Sequence, residues 1–137
     1  MLKNISNLGD AALYCDFGIQ VNKATNLEVI KYFKTIREKK IKGVNNLTPS
    51  YNKLIISFDL RVTNFSEIKN KIENLDTTIE QNKNNKKIEV PVCCEENFAL
   101  DKSRLEKKLN LRYQEILTKF FDKEYFCYMT GFIAVSY

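Results

Sequence analysis

The sequence predicts an α+β fold. Two features of the 137-residue chain indicate it: short runs rich in β-branched residues alternate with amphipathic helical patterns, and a polar segment divides the chain. That segment, residues 81–87, contains no apolar side chain and is interpreted as a linker. We therefore expect an N-terminal α+β domain over residues 1–80 and a second module over residues 88–137.

The N-terminal domain is predicted to run strand, helix, strand, strand, helix. Strands are expected at 11–19, 44–51 and 53–59, and Pro49 should lie at an edge or turn because it cannot donate to a sheet ladder. One further strand, at 77–80 or after the linker, would complete a ferredoxin-like βαββαβ domain.

The two predicted helices have different start signals. The first, over residues 22–40, can be capped by Asn22, Thr25 or Asn26, and Gly43 lies just past its end. The second is expected to be capped by Ser66, with Glu67 in its first turn. Their apolar stripes comprise Leu27, Ile30, Phe33 and Ile36 in the first helix, and Ile68, Ile72 and Leu75 in the second.

The second module is predicted to open with a strand over residues 88–93. Asp101 should cap a helix, and Asn110, which tolerates the left-handed conformation, should separate that helix from the next. The apolar run at 125–137 predicts a strand buried on both faces. Because such a strand needs cover, we expect self-association through residues 125–137.

Composition excludes several kinds of chemistry. The chain has no His, which rules out Ser-His-Asp and Cys-His nucleophile systems and His-ligated metal sites within it. Its four Gly form neither phosphate-cradling loop, so we expect no cofactor bound by this chain and no metal. The four Cys have no metal-ligand spacing and are expected to be reduced thiols, mostly buried.

Charge and hydropathy bear on partners and compartment. Residues 1–80 carry 12 basic and 9 acidic side chains, so the net charge of +5 is interpreted as spread along the chain, with no nucleic-acid partner. No apolar stretch is long enough to span a membrane. The N-terminus lacks the apolar core of a signal peptide, and a cytoplasmic location is expected.

Four ordered blocks carry a family resemblance. The first contains Gly9 and Asp10 and ends at Phe17-Gly18; the second contains Pro49-Ser50-Tyr51. The third contains Pro91 and Cys93, and the fourth contains Tyr125, Tyr128-Met129, Gly131 and Phe132. With these four blocks the sequence resembles the allophanate hydrolase subunit 1 family, also called the family of KipI or of the 5-oxoprolinase B subunit, whose members are carboxyltransferase-domain proteins of bacteria.

The resemblance implies a fold and partners. It implies an α+β domain followed by a cyclophilin-like β-domain, which here would be incomplete and carry two helices. The family implies a subunit of an ATP-dependent amide-hydrolysing complex that opens 5-oxoproline, with ATP used at the level of the complex. Its implied partners are a homologue of the C subunit, of the KipA type, and a LamB/YcsF-type subunit.

Departures from the family favour a role without catalysis by this chain itself. Cys94-Glu95-Glu96 stands where the family has a Tyr-Gly-Gly type sequence, and Phe120 aligns with the family's His. Glu95, Glu96 and Asp101 are the remaining candidates for acid–base chemistry, although Asp101 also suits a helix cap and the glutamates suit solvent. The alternative functions are a KipI-like inhibitor of a histidine kinase and a degenerate, truncated remnant without activity.

Overall fold

The computed structural model describes residues 2–77 and 87–129. These residues form two compact units: 2–77 together with 127–129, and 87–126. The predicted division at residues 81–87 would assign residues 127–129 to the second module, whereas in the structure these three residues pack with the first unit. No helix among the described residues is long and apolar enough to cross a membrane.

The first unit is built on a four-stranded antiparallel sheet. Its strands are β1 (Asn4–Asn7), β2 (Ala12–Asp16), β3 (Val44–Pro49) and β4 (Lys53–Phe58), in the spatial order β1-β2-β4-β3. The sequence predicts a further strand at residues 77–80 or after the linker, to complete a ferredoxin-like domain; residues 78–80 lie outside the described residues, and the ferredoxin-like arrangement is not confirmed. In the structure the position beside β2 is occupied by β1, which precedes every predicted element.

Two helices complete the first unit: α1 (Lys23–Lys39) and α2 (Phe65–Glu73). They contribute to one buried cluster with alternate side chains of the central strands, as the period of two in β2 and β4 requires. The cluster contains Ile5, Leu13, Cys15, Phe17, Val29, Ile36, Leu54, Ile56, Phe58, Ile68 and Ile72.

The helix boundaries confirm some sequence signals and correct others. Asn22 caps α1, because its side chain accepts a hydrogen bond from the Thr25 amide at 2.9 Å. The cap of α2 is Asn64, whose side chain accepts from the Glu67 amide, so the prediction of Ser66 was wrong. The Asn64 side chain also donates from Nδ2 to the Glu67 carboxylate at 2.9 Å, and Ser66 lies inside the helix, one residue after its start.

The buried face of α1 differs from the predicted apolar stripe. Ile36 is buried as predicted, but Leu27, Ile30 and Phe33 are only half-buried. The most buried positions of the helix are instead Asn26, Val29, Thr35 and Ile36. The helix therefore presents two polar side chains to the interior, and each must find hydrogen-bond partners there.

The second unit contains α3 (Lys102–Leu109) and α4 (Tyr113–Phe121), preceded by a short 3-10 helix at Glu96–Phe98. Asn110 adopts the predicted left-handed conformation, with φ of 51°, at the end of α3. The predicted strand at 88–93 is not formed, and residues 125–129 are not a strand either. The rest of the predicted C-terminal strand, and the association expected from it, lies outside the described residues.

Three of the four cysteines differ from the prediction of burial. Cys15 is fully buried in β2, but Cys93 and Cys127 are exposed and Cys94 is half-buried. Burial raises the pKa of the Cys15 thiol to about 12, because the apolar interior disfavours the thiolate. Cys15 is therefore a neutral core side chain.

Candidate functional site

The β3–β4 turn, residues 50–52, carries part of the second family-like block. The Ser50 amide donates to the Lys53 carbonyl at 2.9 Å and closes the turn. The turn is fixed by Asn26, whose side-chain amide Nδ2 donates to the carbonyl oxygens of Ser50 at 3.1 Å and Tyr51 at 2.9 Å. Asn26 is only 1% exposed, so these bonds are made away from bulk water.

The same amide also holds a segment distant in sequence. Asn26 Nδ2 donates to the Tyr128 carbonyl at 2.9 Å, across 102 positions of the chain. The Tyr51 and Tyr128 rings lie with centroids 6.0 Å apart, and the Ser50 hydroxyl donates to the Met129 sulfur at 3.7 Å. The structure thus brings part of the fourth block, Tyr128-Met129, onto the second.

The end of the first block also contacts this turn. Gly18 has φ of +119°, a conformation that L side chains rarely adopt, and its amide donates to Asp16 Oδ1 at 2.7 Å. Asn52 Nδ2 donates to the Gly18 carbonyl at 2.7 Å, and the Phe17 amide donates to the Asn52 carbonyl at 3.1 Å. Residues 16–18 are therefore bonded to the β3–β4 turn from both directions.

Lys53 supplies the positive charge at this point. Its ammonium group forms an ion pair with Asp16 and donates to the Gly18 carbonyl at 2.9 Å. The hydrogen bond from Lys53, followed by that from the Gly18 amide, lowers the pKa of Asp16 below its ordinary value. Asp16 is therefore ionised at neutral pH and occupied as an acceptor, which makes it a structural anion and a poor proton donor.

We refer to these residues together as the turn cluster: 16–18, Asn26, 50–53 and 128–129. Its chemistry is that of a positioning framework. The amides and carbonyls are matched to one another, and its one carboxylate is paired with its one ammonium group. The ring of Tyr51, 45% exposed, is the part of the cluster most available to a partner.

The acid–base candidates from the sequence lie elsewhere, in the second unit. Glu96 pairs with Lys102 at 2.5 Å, and that hydrogen bond lowers the pKa of Glu96. Asp101 occupies the N-cap position of α3 without making a side-chain cap bond and pairs instead with Arg104 at 3.1 Å. Glu95 is exposed. The structure does not assemble these carboxylates into a buried pair.

The remaining predicted motif residues are dispersed. Gly9, with φ of 63°, and Asp10 form the turn between β1 and β2, at the opposite end of β2 from Gly18. Pro91 and Cys93 are exposed in the second unit, where the Tyr125 hydroxyl donates to the Phe120 carbonyl at 3.0 Å. Gly131 and Phe132 lie outside the described residues. No group of three His, Cys, Asp or Glu side chains suited to a metal ion occurs within 2–77 or 87–129.

The residues that hold the turn cluster together are not apparent from the sequence patterns. Those patterns indicate Asn26 only as a helix cap, and they place Asn52 in a turn and Lys53 in a strand. One signal is present: the polar Asn26 lies three residues before Val29 and ten before Ile36, so it shares a buried helical face with these two apolar residues. A buried asparagine on such a face needs partners, and here they come from two distant loops.

Comparison with known proteins identifies the family. Residues 3–134 match the family described as "Carboxyltransferase domain, subdomain C and D". The chain belongs to this family. A curated relative, the B subunit of 5-oxoprolinase from Bacillus subtilis (strain 168), is 26% identical over 140 residues, covering 93% of this chain and 58% of the relative. The chain therefore spans somewhat more than half of that relative's length. No solved structure gives a significant match.

Proposed function

We propose that this chain acts as the B-type component of a 5-oxoprolinase-type complex, and that it contributes binding surface without performing catalysis itself. The turn cluster is the observation that carries the proposal. It joins three of the four family-like blocks through the hydrogen bonds of Asn26 and Asn52. This network maintains the backbone conformation of the turn cluster and does not position a reactive group.

The charged groups of the described residues support the non-catalytic part of the proposal. Asp16 is paired with Lys53, and Glu96 is paired with Lys102, so both carboxylates have lowered pKa values. A general acid at neutral pH needs the opposite shift. ATP would be used by the assembled complex, which would act in the cytoplasm. The partners of this chain in that complex would be a KipA-type homologue of the C subunit and a LamB/YcsF-type subunit.

Reconstitution tests this proposal. The chain would be purified alone and also co-expressed with KipA-type and LamB/YcsF-type homologues, and 5-oxoproline-dependent ATP hydrolysis would be measured in each case. We expect turnover only in the assembled complex. Turnover that copurifies with the chain alone would overturn the non-catalytic assignment.

Failure to associate would overturn the assignment as a subunit. A histidine kinase autophosphorylation assay with the same preparation then separates a KipI-like inhibitor, which would suppress phosphorylation, from an inactive remnant, which would not. These are the two other functions that the family resemblance allows.

A further inference from the structure

The positive charge of the protein is concentrated on one stretch of α1 and the turn after it. Residues 31–42 contain six basic side chains and one acidic, a net charge of +5, while the other 125 residues carry 16 of each sign. The interpretation of a charge spread along the chain was therefore wrong, because a division at residue 80 averages over this segment. Five of the six basic residues, Lys34, Arg37, Lys39, Lys40 and Lys42, are exposed.

Helix stability explains only part of this concentration. Cations in the last turn of a helix interact favourably with its dipole, which accounts for Arg37 and Lys39 and, at the C-cap, for Lys40. Lys31 and Lys34 lie further from the end of the helix, where the effect of the dipole has faded.

A groove lies beside this charge, between the C-terminal part of α1 and the edge strand β3. It encloses about 460 Å³ and is floored by apolar side chains, of which Ile36 is buried and Ile41, Val44 and Leu47 are half-buried. Arg37 and Lys40 are its charged lining residues, and no acidic side chain lines it. Among the described residues, β3 has no strand on this side.

We propose that this groove is a docking surface for an acidic, amphipathic protein segment. Apolar side chains of such a segment would enter the groove, while its carboxylates pair with Arg37 and Lys40 on the rim. The surface is separate from the turn cluster, so this inference does not rest on the proposed function.

Two observations favour a protein segment over a nucleic acid. Binding of single strands relies on exposed aromatic rings for base stacking, but the aromatic ring lining the groove, Phe33, is half-buried and has the Arg37 guanidinium 5.1 Å from its centroid. An apolar floor also offers nothing to a phosphate backbone.

The edge strand indicates how the segment would bind. The ladder of β3 with β4 has a register shift between Val44 and Asn46, and the strand ends at Pro49. Bulges and prolines are features that discourage pairing of an added strand. We therefore expect recognition through side chains and not through a fifth strand.

The test uses the full chain and a fluorescein-labelled twelve-residue peptide that alternates glutamate with leucine. Fluorescence anisotropy should show binding at least about tenfold tighter than that of the matched peptide with glutamine in place of glutamate, and weakening as salt screens the rim charges. Backbone amide signals of residues 33–47 should shift in two-dimensional NMR spectra.

Variants localise the effect. Arg37→Glu/Lys40→Glu should weaken binding of the acidic peptide by roughly tenfold or more, because two attractive rim pairs become repulsive. The control Lys107→Glu/Lys108→Glu makes the same change of charge on exposed positions of α3 and should leave binding unchanged. Arg37→Gln/Lys40→Gln should give an intermediate loss of binding affinity, and it still tests the rim charges if the double glutamate variant does not fold.

Three results would overturn the proposal. One is equal binding of the glutamate and glutamine peptides, and another is equal loss in the groove and α3 variants. The third is binding of a twelve-nucleotide single-stranded DNA, or of vesicles rich in phosphatidylserine, that exceeds peptide binding and depends on Arg37 and Lys40.

Discussion

Replacing Asn26 by alanine should loosen the turn cluster and destabilise the first unit. The two N–H hydrogens of its side-chain amide are shared among the carbonyls of Ser50, Tyr51 and Tyr128, and Asn26 itself is 1% exposed. Each hydrogen bond contributes about 0.5–1.5 kcal/mol net, and carbonyls that lose their donor can be partly rehydrated. We therefore expect a loss of about 2–3 kcal/mol of unfolding free energy.

Urea unfolding followed by circular dichroism measures this effect. With an m-value of about 1–2 kcal/mol/M, the midpoint should fall by about 1–3 M. Asn26→Asp keeps the shape of the side chain but replaces the amide donor by an acceptor that faces carbonyl oxygens, so it should be at least as destabilising as alanine. The control Asn70→Ala changes an exposed asparagine of α2 that accepts one solvent-exposed hydrogen bond, from Asn74 Nδ2, and it should cost less than about 1 kcal/mol. Wild-type stability of Asn26→Asp, or equal midpoints for Asn26→Ala and Asn70→Ala, would refute this role of the buried amide.

Three further predictions concern charge, burial and backbone conformation. Because the pKa of Asp16 is lowered, its carboxylate stabilises the folded state above pH 3.8, and this contribution disappears as the pH falls through the lowered value. The stability difference between the wild type and Asp16→Asn should therefore shrink in acid, and a constant difference from about pH 6 to about pH 2 would contradict this prediction. With its pKa raised to about 12 and its side chain buried, Cys15 should resist iodoacetamide at about pH 8 while the exposed Cys93 and Cys127 react, and mass spectrometry showing equal labelling of all three would refute this. Gly43→Ala should destabilise the fold by about 1–3 kcal/mol, because φ is +91° and the new Cβ would lie 2.5 Å from Thr63 Cγ2. Gly9→Ala, with φ of +63° and nothing within 4 Å of the new Cβ, should cost less, and thermal unfolding that ranks the two variants the other way would contradict this prediction.

The elements of the first unit that are predictable from the sequence share a strong local signal. β4 is rich in β-branched residues that alternate in burial, and α1 begins at an asparagine that caps it. β1 is not predicted, because Asn-Ile-Ser-Asn has a single strand-forming residue, Ile5, and owes its conformation to pairing with β2. Local propensity does not report such pairing.

The second unit shows the opposite error, a strand that is predicted but does not form. Residues 88–93 have the alternation of a strand, but no strand of the described residues pairs with them, and Ile88 and Val90 are each 72% exposed. Periodicity indicates which face a strand would bury and does not provide the partner. Both helices and the left-handed Asn110 are predictable because their signals are local.

The turn cluster could be predicted only in part. The blocks Pro49-Ser50-Tyr51 and Tyr128-Met129 carry the family resemblance, but the sequence alone does not reveal that one buried amide holds them together. That contact joins positions 102 residues apart, and it depends on the register of α1 against the sheet. The charge on residues 31–42, in contrast, is readable from the sequence and disappears only when it is averaged over a whole domain.

The most direct test of the proposed function is ATP hydrolysis by the reconstituted complex, with the wild-type chain compared with Asn26→Asp at a temperature where both are folded. We expect 5-oxoproline-dependent turnover only when the chain is present with its partner subunits, reduced assembly with Asn26→Asp, and wild-type behaviour with Asn70→Ala. Equal turnover by the partner subunits with and without this chain would contradict the assignment.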